Sequence, residues 1–334
     1  MTELLQTLAE YARLGIAEQI DYKKFYLYSL ITHSTAIEGS TCTEIENQLL
    51  FDEGITVAGR TLQEQMMNLD LKVAYEEAQR LVAQHTDFSV ALLCRLSSLV
   101  MKNTGNTYNT PLGSFSAANG DLRLVNVTAG YAGRSYLAYE KVPHALQTFC
   151  LWLNRERKNL PKADVIAAYR LSFVAHYRLV TIHPWADGNG RMARLVMNML
   201  QWENDLVPVK VLKEQKATYI QALNDTRNQD DETIFTDVMF RLHNTNLQAE
   251  IHAFRTSLDE QNVTKEITRQ FTERQRLIVE LLTQNATATI PEMSRKMAVT
   301  ERTIKRDLQQ LQQLGILRRI GGRKEGHWAL KLEH

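Results

Sequence analysis

The stretch Thr181–Leu200, TIHPWADGNGRMARLVMNML, decides how the chain is read. It gathers a histidine, an aspartate, an asparagine, two glycines and two arginines into one short loop, then runs straight into an apolar segment. Met192, Leu195, Val196, Met199 and Leu200 recur at helical spacing, so the pattern predicts a helix beginning at Gly190. The residues before the loop, ADVIAAYRLSFVAHYRLVTI, also read as a helix, which ends at His183-Pro184. This context disposes of three familiar motifs. GNGRMA fits the dinucleotide pattern G-x-G-x-x-A, but that motif needs a strand in front of it. No Gly-Lys-Ser/Thr follows, so the loop is not a P-loop. DGN begins like a calcium loop, yet Arg191 and Met192 take the next ligand positions and Asn198 stands where the bidentate Glu belongs.

The positive reading is geometric. The first N–H groups of a helix lack internal partners and carry the positive end of its dipole. Gly188 and Gly190 let that backbone come close to a ligand. Arg191 and Arg194, three residues apart, can project from one side of the helix start. Cations there are unfavourable unless an anion is present, so the pair implies a polyanion, most simply a di- or triphosphate. Asp187 beside phosphates is suited to holding Mg²⁺, which keeps phosphate oxygens among its ligands. His183 supplies a general base that titrates near neutral pH. Base, metal ligand and phosphate clamp together describe nucleotidyl or phosphoryl transfer; the plain alternative is a surface turn with a fortuitous histidine.

HPWADGNGRMAR resembles the signature of the Fic family, H-x-F-x-[D/E]-G-N-G-R-x-x-R, with Trp185 in place of the usual Phe. The resemblance runs through roughly residues 20–245. It implies transfer of AMP from ATP, as substrate with Mg²⁺, to a Ser, Thr or Tyr hydroxyl of a protein. His183 would deprotonate the hydroxyl and Asp187 would bind the metal. Gly188, Asn189 and Gly190 would cradle the phosphates, which Arg191 and Arg194 would hold. Glycine rather than lysine at 190 disfavours the Doc-type kinases of the family. Val127, Thr128, Ala129 and Gly130 match the family's substrate flap, and Tyr219 and Ile220, in YIQAL, its adenine-side helix. The Asn often found eight residues after the tyrosine is missing, and Arg227 and Asn228 straddle its place.

A second motif lies near the N-terminus. In HSTAIEGS, Ser34, Glu38 and Gly39 fit [S/T]-x-x-x-E-[G/N]. By composition alone this is the end of a helix with Gly39 as its cap. The resemblance makes it the family's inhibitory motif, in which Glu38 pairs with Arg194 and keeps it from the γ-phosphate. Two rival readings stay open: a transcription regulator whose domain only senses nucleotide, and removal of AMP at the same site with Glu38 orienting water.

Outward from these motifs, helical periodicity dominates. Residues 1–100 read as several helices, with GITVAGR (Gly54–Arg60) as a loop and a capping box at Thr43 and Glu46. From Asp121 to Val142 alternating β-favouring residues predict a hairpin with its turn near Ala129–Gly133. The C-terminal segment, 271–334, holds 12 Lys+Arg against 7 Asp+Glu, a balance of +5, while the whole chain of 334 residues carries only +1. It reads as three helices and a hairpin, a winged helix-turn-helix. Arg302, Thr303, Lys305 and Arg306 would face a major groove, and Arg323 and Lys324 would lie in the wing. Winged helices also bind proteins, and that alternative stays open.

The expected architecture is mainly α. Residues 1–95 form a helical region with the inhibitory motif, 96–250 a catalytic core with a β-hairpin flap, 251–270 a linker helix and 271–334 the winged-helix domain. No apolar run reaches the roughly 18 residues of a membrane span. Cys42, Cys94 and Cys150 are scattered and unpaired in sequence, and MTELLQTLAEYARLG is an acidic amphipathic helix rather than a leader. Both suit a cytoplasmic protein. The implied partners are a target protein with a hydroxyl side chain and DNA through 271–334. The assembly, a homodimer included, is open.

Overall fold

The structure, a computed structural model, describes residues 1–128, 134–269, 271–322 and 326–330, with backbone alone for 259–269. Helices dominate. The first unit, Met1–Ile251, contains α1 (Thr2–Arg13), α2 (Tyr22–Ile37), α3 (Glu44–Asp52), α4 (Leu62–Ala83) and α5 (Val90–Val100). There follow strands β1 (Thr107–Thr110) and β2 (Gly113–Ser116), then α6 (Val142–Asn159), α7 (Val165–Ile182), α8 (Asn189–Glu203) and α9 (Lys216–Gln229). Helix α10 (Glu232–Arg269) carries the chain into the second unit, His252–His334. That unit contains α11 (Glu273–Gln284), α12 (Ile290–Lys296), α13 (Glu301–Gln313), β3 (Leu317–Ile320) and β4 (His327–Leu330).

Helix starts follow their side-chain signals. Thr43 with Glu46, Thr61 with Glu64, Thr272 with Gln275 and Thr289 with Glu292 each close a reciprocal capping box, which satisfies two orphan donors at once. Asp164 caps α7 by accepting from the Ala167 amide. One apolar core joins the N-terminal helices to the central pair. Ile31 of α2, Leu71 and Tyr75 of α4 and Leu96 of α5 pack with Leu171, Ala175 and Leu179 of α7 and with Met192, Leu195, Val196 and Met199 of α8. Helix α8 is therefore buried nearly all round, and its polar side chains must find partners inside.

The expected hairpin at 121–142 differs from what forms. Regular antiparallel pairing lies upstream, where Thr107 opposes Ser116 and Thr110 opposes Gly113 across a Pro-Leu turn. Between Asp121 and Val142 the described residues hold one isolated bridge, Thr128 to Ser135, and a bond from the Tyr136 amide to the Val127 carbonyl. Within the same segment the buried guanidinium of Arg123 takes the carbonyls of Val125 and Leu137. The expected turn at Ala129–Gly133 lies outside the described residues.

In the second unit, Ile278, Leu282, Met293, Ile304, Leu308, Leu311 and Trp328 form a separate core. β3 and β4 pair antiparallel, Leu317 with Leu330 and Ile320 with His327, as the wing of a winged helix. No helix among the described residues is long and apolar enough to cross a membrane.

Candidate active site

Helix α7 ends in a residue with left-handed backbone, His183 at φ 52°, ψ 62°. That conformation, followed by Pro184, turns the chain sharply out of the helix and presents the imidazole at the loop. Trp185, fully buried, donates its indole N–H to the Gly120 carbonyl at 3.1 Å. Asn189 then clasps the loop from within: it accepts from the Trp185 amide at 3.1 Å and donates to the Trp185 carbonyl at 2.9 Å. Both polar atoms of its side chain are thus committed to the shape of the loop. Gly188, at φ +81°, is the residue before α8, where a Cβ would meet Met101 Sδ at 2.8 Å.

The two arginines near the start of α8, Arg191 in its first turn and Arg194 in its second, point inward. Arg194, 3% exposed, donates from Nε to Ser34 Oγ at 2.8 Å and from Nη2 to the Ser34 carbonyl at 3.0 Å and Glu38 Oε1 at 2.5 Å. Its Nη1 reaches the Tyr219 hydroxyl at 3.4 Å. Burial disfavours both charges, yet the ion pair outweighs it: Glu38 is held below its ordinary carboxylate range and Arg194 above its ordinary value. Gly190 permits this closeness, because a Cβ there would lie 2.5 Å from Glu38 Oε1. Arg191, 2% exposed, touches Met101 Sδ at 3.0 Å and faces Asp187 Oδ1 at 3.5 Å. Its Nε and Nη1 are buried without a hydrogen-bond partner. Burial is the main cause that lowers its pKa. Unpaired guanidinium donors inside a protein are costly, and an anion at this place would satisfy them.

Asp187 is 57% exposed and accepts from the Gly188 amide at 2.6 Å. Among the described residues no cluster of three or more metal-ligating side chains exists, so a divalent ion here would take most of its oxygens from phosphate and water. His183 Nδ1 lies 3.2 Å from the Val180 carbonyl. A carbonyl only accepts, so Nδ1 carries the hydrogen and Nε2 keeps its lone pair. Burial chiefly pushes the pKa of His183 down to about 4, and the Arg123 and Arg227 charges add to it against the Val180 bond and Asp187.

Several residues of this site escaped the sequence reading. Arg123 donates to the His183 carbonyl at 2.7 Å as well as to Val125 and Leu137, and its amide donates to the Pro184 carbonyl, so one residue joins the segments at Val125 and Leu137 to the His183–Pro184 loop. Tyr136 stacks on the His183 ring at 3.8 Å between centroids, and the Arg227 guanidinium lies 4.6 Å from the Tyr136 centroid. Arg227 also donates to the Ser135 carbonyl, fastening the flap to α9. His176, buried, sits 2.8 Å from the Tyr219 hydroxyl. Only the missing Asn near position 227 hinted at any of them.

Of the flap residues, Val127 accepts from the amide of Tyr136, the residue stacked on His183, and Thr128 bridges Ser135. Ala129 and Gly130 lie outside the described residues. Tyr219 is buried against Arg194 and His176, whereas Ile220 is 40% exposed. In the second unit, Thr300 caps α13 by accepting from the Thr303 amide. Arg302, Lys305 and Arg306 are exposed on α13 and Thr303 is half-buried, with Lys305 Nζ 3.8 Å from Glu301. Arg323 and Lys324 lie outside the described residues.

Residues 87–201 match the Fic/DOC family and residues 274–325 the DeoR-like helix-turn-helix domain. The protein adenylyltransferase fic-1 of Caenorhabditis elegans is 26% identical over 238 residues, covering 70% of this chain and 43% of that protein. The protein adenylyltransferase Fic of Drosophila melanogaster is 28% identical over 203 residues, covering 60% of this chain and 37% of its own length. This chain thus spans less than half the length of these curated relatives. Among solved structures, a Fic domain containing signaling protein from Bacteroides thetaiotaomicron superposes with a TM-score of 0.62 at 19% identity, over 76% of this chain and 97% of that one. A Fic family protein from Desulfovibrio desulfuricans does so with 0.59 at 16% identity, over 100% of this chain and 97% of that one. The chain carries a Fic fold followed by a DeoR-like helix-turn-helix.

Proposed function

We propose that this Fic-domain chain is a Mg²⁺-dependent protein adenylyltransferase held in check by its own Glu38. The observation that carries the reading is the state of the two buried arginines. Arg191 keeps two guanidinium donors free for an anion, while Arg194 is occupied by a carboxylate from the same chain. A phosphate chain entering the site satisfies the first arginine at once and must displace Glu38 to reach the second. The names of the relatives, protein adenylyltransferases, agree with that chemistry.

In the reaction, the oxygen of a Ser, Thr or Tyr hydroxyl attacks the α-phosphorus of ATP, and its proton passes to Nε2 of His183. A new P–O bond forms to the target, the α–β bridging P–O bond breaks, and pyrophosphate leaves. The lowered pKa of His183 keeps Nε2 unprotonated and ready at neutral pH, and the Val180 bond fixes its tautomer. The helix N-terminus at Gly188–Gly190 and Arg191 hold the developing charge. Asp187, exposed beside Arg191, would hold Mg²⁺, which neutralises phosphate charge when bound.

The second unit we read as a DNA-contacting module, because Arg302, Lys305 and Arg306 are exposed together on α13. Residence in the cytoplasm belongs to the same reading, and the free Cys42, Cys94 and Cys150 suit it. The test of the enzymatic reading is incubation with α-labelled ATP and Mg²⁺, counting label on the chain and on added proteins. His183→Ala should abolish transfer while calorimetry finds ATP affinity nearly unchanged. Undiminished labelling by that variant would overturn the assignment of the base.

A further inference from the structure

Glu38 blocks Arg194 only while the end of α2 stays where it is, and the structure shows what keeps it there. Asn68 of α4 is buried directly behind that end. Its Oδ1 accepts from Thr35 Oγ1 at 2.7 Å and from Asn47 Nδ2 at 3.0 Å. Its Nδ2 donates to Ser40 Oγ at 3.0 Å and to the Glu64 carbonyl at 2.8 Å. All four hydrogen-bonding positions of one amide are thus filled, and two of them go to residues three before and two after Glu38. Asn47 extends the set to Thr32 Oγ1 at 2.8 Å.

An outer layer repeats the grip on the segment just beyond Glu38. Glu64 accepts from the Thr41 amide at 2.7 Å and from its hydroxyl at 2.6 Å. Arg60 donates to Thr41 Oγ1 at 2.9 Å and pairs with Glu46 at 3.0 Å. Gly39 follows Glu38 at φ +111° with open space where a Cβ would stand, so no side chain at 39 holds the carboxylate in place. The pose of Glu38 is set from behind.

We propose that Asn68 is a positioning residue for the Glu38 block, the centre of a polar latch whose loosening releases Arg194 to nucleotide. This inference rests on the reading of Glu38 as an intrachain inhibitor. Asn68 hydrogen-bonds neither Arg194 nor Glu38; it acts through Thr35 and Ser40. Asn47 Oδ1, in the same network, is buried without a partner, which costs stability that a fully satisfied network would keep.

The test is AMP transfer from α-labelled ATP by Asn68→Ala and by Ser40→Ala, each made in the parent chain and in Glu38→Gly. Removing a buried hydrogen-bond partner shifts local populations by about tenfold, so each variant should raise transfer by about that factor in the parent background. In the Glu38→Gly background neither should raise it further, since no block remains to be loosened. A residue that matters only for folding gives the opposite pattern, a similar loss in both backgrounds, and that result overturns the proposal. If Asn68→Ala fails to fold, Ser40→Ala decides, because it removes one hydroxyl from a turn. Activation by Glu38→Gly with parent-level transfer in folded Ser40→Ala and Asn68→Ala sinks the latch alone. No activation by Glu38→Gly removes the inhibitory reading, and the latch with it.

Discussion

Replacing Glu38 by glycine removes one charge-assisted hydrogen bond and the counter-charge of a buried guanidinium. The bond is short, 2.5 Å, but the Glu38 side chain is 31% exposed. Charged hydrogen bonds contribute about 1.5–3 kcal/mol, and the partial exposure places this one near the lower end, about 1.5–2 kcal/mol, or ten- to thirtyfold in population. Two consequences follow with opposite signs. Without nucleotide, Arg194 keeps Ser34 and Tyr219 as partners but loses its carboxylate, so the free variant should melt earlier, by about 2–4 °C per kcal/mol lost. With ATP the freed guanidinium meets the phosphates, so ATP should raise the melting point of the variant more than that of the parent. The initial rate of AMP incorporation should rise about tenfold or more, and Arg194→Ala added to Glu38→Gly should cancel the gain. Glu38→Asp, one methylene shorter, should fall between. Parent-level transfer together with an unchanged ATP-induced melting shift would refute the reasoning.

Other outcomes follow from the same geometry. Arg191→Ala removes the unpartnered donors and should weaken ATP far more than adenosine in calorimetry; equal affinities for ATP in variant and parent would contradict the anion site. His176 and His243 are buried and neutral, with pKa values lowered to about 3 mainly by burial. Their unfolded forms take up protons near pH 6.5 while the folded forms do not, so stability should be full above about pH 6.5 and fall towards pH 3 by up to about 1.4 kcal/mol per pH unit for each histidine. Denaturant titrations from pH 7 to pH 4 read this directly, and a flat profile would count against neutral burial. Deleting 271–334 should leave AMP transfer intact and abolish duplex binding, whose affinity in the full chain should fall steeply with salt; a full chain that ignores duplex at low salt would favour a protein-binding winged helix.

Much of the fold was legible because its signals are local. Helical spacing in α8, the Thr43–Glu46 capping box and the loop at Gly54–Arg60 each depend on residues a few positions apart, and each stands as read. The placement of Arg191 and Arg194 together at the helix start also followed from spacing. Of the hairpin expected around Ala129–Gly133, the described residues hold the Thr128–Ser135 bridge and the bond from the Tyr136 amide to the Val127 carbonyl, while Arg123 takes the Val125 and Leu137 carbonyls in the same segment. Tyr136, His176 and Asn68 were invisible for a different reason. Each acquires its meaning from a contact with a residue distant in sequence, 47 positions away for Tyr136 and His183, and no periodicity encodes such a meeting.

The most direct measurement of the central claim compares two labels on one protein. Glu38→Gly is incubated with Mg²⁺ and ATP labelled on either the α- or the γ-phosphate, and protein-bound label is counted after acid precipitation. Transfer of AMP predicts that the α-label stays with protein and the γ-label leaves as pyrophosphate, with His183→Ala abolishing retention. Retention of the γ-label, or no retention of either, would contradict it.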